Sequence, residues 1–332
     1  IYRIKRKREM KMGILGAGNI AGKMAETIHE MPQVISWAVA SRNPERAKAF
    51  AEEHGFMHAY GSYEELVCDP EVDLIYIATP HSHHYEHMKL CIAHGKNVLT
   101  EKSFTQNAAQ AKEVLAMAEE RGVLATEAIW TRYMPMRKTL DEVLASGIIG
   151  TPHSLYATLS YPLQHVQRMT DPALAGGALL DLGVYPLNFA SMVFGDEIKE
   201  VKASAVLTER GVDAVDNITL IYKDGKTATL HSDMRAACNR EGAIYGDKGY
   251  ILVQNINNCE GIRVYDTEHH LIAEYETPKQ ITGYEYEVEA CMRALKKNEK
   301  ECPEMPHAET IYIMELMDNI RAQIGVVYPN ER

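Results

Sequence analysis

The stretch Met12-Gly13-Ile14-Leu15-Gly16-Ala17-Gly18-Asn19-Ile20-Ala21 joins a short apolar run to a helical pattern through closely spaced glycines. Met12 to Leu15 has the length of a buried strand, and Asn19 to Glu30 has helical periodicity. Such a turn lets the backbone approach a pyrophosphate. The helix it opens presents free N–H groups and the positive end of its dipole to phosphates. A Gly-x-Gly-x-x-Ala pattern gains weight from a strand before it and a helix after it. Gly16, Gly18, Asn19 and Ile20 are therefore candidate cofactor-binding residues.

Outward from this turn the same rhythm continues. Apolar runs at Val34 to Ala40, Asp73 to Ala78, Lys96 to Thr100 and Val123 to Ala125 alternate with helical patterns at Pro44 to His54, Tyr63 to Val67, His83 to His94 and Asn107 to Arg121. Gly55, Gly95 and Gly122 close three of these helices. Repeated strand and helix in this order predict a doubly wound parallel sheet of the Rossmann kind. After Pro135 the rhythm changes. A helix to Ala145, a strand His153 to Tyr161 and a helix Ala178 to Val193 lead into short runs at Lys199 to Thr208, Asn217 to Tyr222, Thr227 to Ser232, Tyr250 to Gln254, Arg263 to Asp266 and Leu271 to Tyr275. Asp224-Gly225 marks a hairpin. Helices Glu285 to Lys297 and His307 to Gln323 close the chain.

The fold class expected is α/β plus α+β. The N-terminal part is a doubly wound parallel sheet, and the C-terminal part an open, mainly antiparallel sheet with helices on one face. The division is 1–10 as a disordered or non-native extension, 11–130 as the dinucleotide-binding domain and 131–332 as the substrate-binding and dimerisation domain.

The net charge of −11 includes a basic run from Arg3 to Arg8, so the body is more acidic than the whole. Such a body repels nucleic acid. The six cysteines stand far apart, without metal-knuckle spacing, which suggests reduced thiols and a cytoplasmic location. No apolar run is read as approaching the roughly 18 residues of a membrane span, so no membrane attachment is expected.

Sites that prefer NAD place an acid at the end of the second strand, where it bonds the ribose 2′-hydroxyl. Here that strand ends Val39-Ala40-Ser41-Arg42, with Arg46 one helical turn on. Ser41, Arg42 and Arg46 suit a 2′-phosphate, so NADP is the expected cofactor, with NAD possible. Thr79-Pro80-His81 and Glu101-Lys102 end later strands at the same ligand-binding edge. His83-His84-Tyr85-Glu86-His87 fits the His-x-x-Glu-His pattern of inverted zinc peptidases. Its place directly after such a strand favours an amphipathic crossover helix instead, and no metal is expected.

A second chemical signal is Gly176-Gly177-Ala178-Leu179-Leu180-Asp181-Leu182-Gly183-Val184-Tyr185, where Asp181 and Tyr185 fall four apart on one helical face. With this segment and Glu127-Ala128-Ile129-Trp130-Thr131-Arg132, the chain after Lys11 resembles the Gfo/Idh/MocA oxidoreductase family, in the branch containing dimeric dihydrodiol dehydrogenase and NADP-dependent D-xylose dehydrogenase. The resemblance implies an essential lysine at Lys102, from a Glu-Lys-Pro motif represented here by Glu101-Lys102-Ser103. Ser103 replaces the proline and removes the ring that restrains that turn. It also implies an acid at Asp181, an acid/base at Tyr185, Arg42 and Arg46 at the 2′-phosphate, His81 and His84 beside the cofactor, and Trp130 in the substrate pocket. A core role for Trp130 is equally compatible with its size.

Together these readings predict an NADP-dependent oxidoreductase that moves hydride between nicotinamide and a secondary or anomeric alcohol of a sugar, polyol or trans-dihydrodiol. Tyr185 is the candidate acid/base, with Lys102 as its charge partner or as the base itself, and Asp181 orienting Lys102 or a substrate hydroxyl. Substrate-binding residues are Trp130, Asp181 and Tyr185. The alternative is a non-catalytic NADP-binding sensor or scaffold on the same fold. One open face on an antiparallel sheet also predicts a homodimer.

Overall fold

The computed structural model describes residues 9–331. The expectation for the basic run Arg3 to Arg8 lies outside them. The chain forms two compact units, each with its own sheet.

The first unit is built on six parallel strands: β1 (Met10–Leu15), β2 (Val34–Ala40), β3 (His58–Tyr60), β4 (Leu74–Ile77), β5 (Asn97–Glu101) and β6 (Ala125–Ala128). Their order is β3-β2-β1-β4-β5-β6, a doubly wound arrangement that reverses direction beside β1. Helices α1 (Asn19–His29), α2 (Pro44–His54), α3 (Tyr63–Cys68), α4 (His81–Ala93) and α5 (Ala108–Arg121) alternate with them. Residues such as Met12, Ile14, Leu15, Leu74, Ile75 and Ile77 are fully buried, as strands covered on both faces require.

Several boundaries differ from expectation. Met10 was expected to fall in the extension, yet it opens β1 and is buried, because its N–H pairs with the carbonyl of Gln33. Strand β3 carries no apolar alternation to reveal it, being three residues long and largely exposed. The first unit also takes in Gln280–His307, which the division at 130/131 assigned to the second domain. Helix α9 (Glu285–Lys297) lies in this segment. The carboxylate of Glu285 accepts the N–H groups of Ile281, Thr282 and Gly283 and so fixes its start. The N–H of Ala125 then bonds the carbonyl of Lys300, and His307 Nε2 lies 2.9 Å from the Ala125 carbonyl. These bonds satisfy the edge of β6.

The second unit holds eight strands: β7 (Pro152–Ser160), β8 (Ile198–Leu207), β9 (Asp213–Tyr222), β10 (Thr227–Asp233), β11 (Gly242–Gly246), β12 (Gly249–Gln254), β13 (Gly261–Asp266) and β14 (Leu271–Glu276). The order is β14-β13-β12-β11-β7-β10-β9-β8, with β7 and β10 the parallel pair and the other pairs antiparallel. Strand β11, framed by glycines, has too few side chains to show a period and was not expected. Helices α6 (Pro135–Ala145), α7 (Gln167–Thr170), α8 (Val184–Phe194) and α10 (His307–Ile324) complete the described helices.

The helix expected over Ala178 to Val193 is two pieces: a π-helical turn, Leu179–Gly183, and then α8. Pro186 has no N–H to give the carbonyl of Leu182, and a widened turn is one way a helix absorbs such a gap. By length and composition Pro172–Phe194 is apolar enough to cross a membrane, against expectation, but 78% of its 18-residue apolar window is buried inside the fold. It reads as the core segment of this unit.

Candidate active site

In the first unit the glycine turn sits between β1 and α1. Gly16 has a φ of +108°, and a Cβ there would come 3.0 Å from the carbonyl oxygen of Ala78, so only glycine fits. A Cβ at Gly18 would meet nothing within 4 Å. The turn thus leaves room at the head of α1, whose first residue Asn19 is exposed and which has no side-chain cap. That is the geometry a pyrophosphate needs.

Ser41 and Arg42 follow β2, and Asn43 caps α2 by accepting the N–H of Arg46. Arg46 Nε donates to the carbonyl oxygen of Ala17, 2.9 Å away, which brings its guanidinium to the glycine turn itself. Arg42 hydrogen-bonds the Tyr63 hydroxyl. Burial raises the Tyr63 phenol above its usual range, while Arg42 and then Arg46 pull the other way. Two cations and Ser41 therefore gather at the end of β2, where NAD-selective sites carry an acid.

Thr79 and His81 lie where β4 passes into α4. His84 is fully buried, with Nδ1 2.8 Å from the Ser103 carbonyl oxygen and Nε2 2.7 Å from that of Thr79. Burial lowers its pKa to about 4. His84 thus stands behind the site and ties the ends of β4 and β5 together. His87 Nδ1 meets the Thr79 hydroxyl at 2.9 Å, and its ring stacks with that of His83. The histidines of the peptidase-like pattern are engaged in this packing. Glu101 is buried and accepts from the hydroxyl of Tyr76, while its other oxygen lies 3.2 Å from the N–H of Lys102. The peptide between Lys102 and Ser103 is cis.

In the second unit the Gly176-Gly177 turn leads into the π-helical turn that carries Asp181. A Cβ on Gly176 would lie 2.7 Å from the carbonyl oxygens of Arg168 and Met169, so that position is also closed to larger residues. Asp181 is buried and paired with Arg168, whose Nη1 is 2.7 Å from Oδ1. Tyr185 follows in the first turn of α8 and is 8% exposed. Trp130 begins a short 3-10 turn, and its indole N–H donates to Asn257 Oδ1 at 2.9 Å. Arg132, two residues on, bonds Asn188 and Ser191 of α8 and pairs with Glu309. That network ties the Trp130 turn to the helix bearing Tyr185. Sequence reasoning missed Arg168, because a partner 13 residues from Asp181 across a loop leaves no periodic signal.

Residues 10–128 match the profile of the oxidoreductase family with an NAD-binding Rossmann fold, and residues 138–252 match the GFO/IDH/MocA C-terminal domain. The chain belongs to the Gfo/Idh/MocA oxidoreductase family. Among family members, trans-1,2-dihydrobenzene-1,2-diol dehydrogenase of Homo sapiens is 36% identical, and that of Bos taurus 37%, each over 97% of this chain and 99% of the relative. KijD10, a 3-ketoreductase from Actinomadura kijaniata solved in complex with NADP and TDP-benzene, superposes with a TM-score of 0.86 at 25% identity, covering 95% of this chain and 98% of that one. Aldose-aldose oxidoreductase from Caulobacter crescentus shares the fold, with a TM-score of 0.85 at 21% identity over 95% of this chain and 97% of its own.

Proposed function

We propose that this Gfo/Idh/MocA enzyme is an NADP-dependent dehydrogenase whose substrate is a secondary or anomeric alcohol of a sugar, polyol or trans-dihydrodiol. The observation that carries the reading is the glycine turn with open space above Gly18, flanked in the same unit by Arg42 and Arg46 and by no acid at the end of β2. Gly16, Gly18, Asn19 and Ile20 hold the pyrophosphate, and Ser41, Arg42 and Arg46 hold the 2′-phosphate. Thr79, His81, His84, Glu101 and Lys102 are the other residues of this unit that would hold the cofactor, with His84 acting through the backbone it braces. Bound NADP supplies the hydride chemistry. The likeness to dihydrodiol dehydrogenases and to an NADP-bound ketoreductase supports this assignment.

Tyr185 is the acid/base that exchanges the proton of the reacting hydroxyl at its phenolic oxygen, and Lys102 is the second ionisable group assigned to the reaction, as charge partner or base. Asp181, held by Arg168, orients a substrate hydroxyl, and Trp130 supplies an apolar wall. The test is a spectrophotometric NADP-reduction screen over pentoses, hexoses, inositols and dihydrodiols. Substrate found, Lys102→Met and Tyr185→Phe should each lower kcat by about 10²- to 10⁴-fold. Near wild-type turnover in both variants overturns the assignment.

The same reading makes the protein a cytoplasmic homodimer. All six cysteines are free thiols, which suits a reducing compartment. One face of the second sheet carries Tyr156 and Tyr245, 38% and 43% exposed, beside the stacked rings of Tyr250 and Tyr265. A second copy of the chain related by a twofold axis would cover that face.

A further inference from the structure

Beneath the segment that carries Asp181 and Tyr185, strand β9 places two aspartates, Asp213 and Asp216, both with no exposed surface. Asp213 Oδ2 accepts the N–H of Leu179, the first residue of the π-helical turn, at 2.5 Å. A Cβ at Gly177, whose φ is +126°, would lie 2.9 Å from Asp213 Cγ. Asp216 Oδ2 accepts the hydroxyl of Ser232, its cross-strand partner on β10, at 3.0 Å. Ser232 Oγ in turn lies 3.2 Å from where a Cβ of Gly183 would stand, at the far end of the same turn. The two carboxyl groups therefore underlie both ends of the turn.

Each aspartate has one oxygen, Oδ1, that is buried and receives no hydrogen bond from a donor group among the described residues. Two such oxygens are a severe cost if both groups are ionised. They cease to be a cost if one proton lies between them, since the carboxyl and the carboxylate are hydrogen-bond partners. Burial raises the Asp213 carboxyl above its usual range, but the N–H of Leu179 works against that rise, so of the two groups Asp213, at the start of the turn, is the one that holds the charge. The other acid acting on Asp216 is Asp233, which Arg235 pairs with at 3.3 Å; Tyr328, from the C-terminal segment, faces the pair and donates to the Gly176 carbonyl at 3.0 Å. Burial, followed by the charge of Asp213, raises the Asp216 carboxyl well above its usual range.

We propose that Asp213 and Asp216 share one proton between their Oδ1 atoms, and that ionised Asp213 is a positioning residue for the turn bearing Asp181 and the helix bearing Tyr185. This rests on the roles given to Asp181 and Tyr185 above. In that arrangement Asp216→Asn is a mimic of the native state, because the amide donates where the acid does. Asp213→Asn removes the charge from the start of the turn.

The experiment compares the two variants in the full-length protein by turnover, NADP affinity, thermal unfolding and infrared spectroscopy. Asp216→Asn should keep kcat within about twofold of wild type, and Asp213→Asn should lose about tenfold in kcat with NADP affinity unchanged. The infrared spectrum of the wild type at neutral pH should contain a buried carboxylic acid C=O band that Asp216→Asn abolishes. Equal losses in the two variants, the reverse order, or no such band overturns the proposal. The band and its loss in Asp216→Asn test the pair even if wild type turns over no compound, an outcome that overturns the functional reading alone.

Discussion

Arg168 sets its guanidinium against the carboxylate of Asp181, with Nη1 2.7 Å from Oδ1 and Nη2 3.4 Å from Oδ2. The buried acid of the candidate site is therefore half of an ion pair whose other half lies on the short helix α7, before the Gly176-Gly177 turn. Asp181 is almost wholly buried, whereas Arg168 is 43% exposed, so solvent screens the pair from one side.

Replacing either residue removes this ion pair. Arg168→Met and Asp181→Asn should each lower kcat/KM by about tenfold or more, with less than additive loss in the double variant and a coupling of about 1 kcal/mol. Strictly additive losses in the double-mutant cycle would show that the pair has no joint role.

Cofactor choice should follow the two arginines. A guanidinium on a phosphate is a charge-assisted bond worth about 1.5 to 3 kcal/mol. Arg42→Ala with Arg46→Ala should weaken NADP binding by at least about tenfold and leave NAD binding nearly unchanged, as read by titration calorimetry. Equal weakening of both cofactors would place the arginines away from the 2′-phosphate.

Glu287 of α9 is fully buried, and among the described residues neither of its carboxyl oxygens has a hydrogen-bond donor. Burial, then the charge of Glu101, raises its pKa well above the usual carboxylate range. The folded state thus keeps a proton that the unfolded chain releases near pH 4. The stability from that proton is complete at lower pH and declines as pH rises toward the raised value, by up to about 1.4 kcal/mol per pH unit. Glu287→Gln is neutral throughout, so its advantage in Tm over wild type should widen from pH 5 to pH 8. A constant difference across that window counts against the buried proton.

The open sheet face gives a simpler measurement. Tyr156→Glu combined with Tyr245→Glu places charge on a surface that a twofold partner would bury, and light scattering at micromolar concentration should shift from dimer to monomer. A wild-type monomer ends the proposal before any variant is made.

Much of the fold was legible because its signals are local. β2, α2 and α9 begin and end where their apolar period, Asn43 cap, Pro44 and Gly55 place them. The strand-turn-helix context of Gly16 and Gly18 was equally plain. Elements set by distant contacts were not legible. β3 and β11 exist because neighbouring strands pair with them, and nothing in their few side chains announces it. The π-helical turn at Asp181 was hidden because an Asp and a Tyr four apart satisfy an α-helical reading equally well. In the candidate site, the residue types at Lys102, Asp181 and Tyr185 were visible. Their supports at Tyr76, Arg168 and Asp213 lie 25, 13 and 34 positions from their partners Glu101, Asp181 and Leu179, too far for any pattern to join them.

The return of residues 280–307 to the first unit makes the two units discontinuous in sequence. A fragment that stops at the end of β6 lacks Lys300, which receives the Ala125 N–H, and Thr282, whose hydroxyl meets that of Thr27 at 2.7 Å. Expression of that fragment, or a chimera cut there, separates a nucleotide-binding sheet from part of its own scaffold. A self-sufficient cofactor module has to carry α9 along, joined by a linker across the excised sheet.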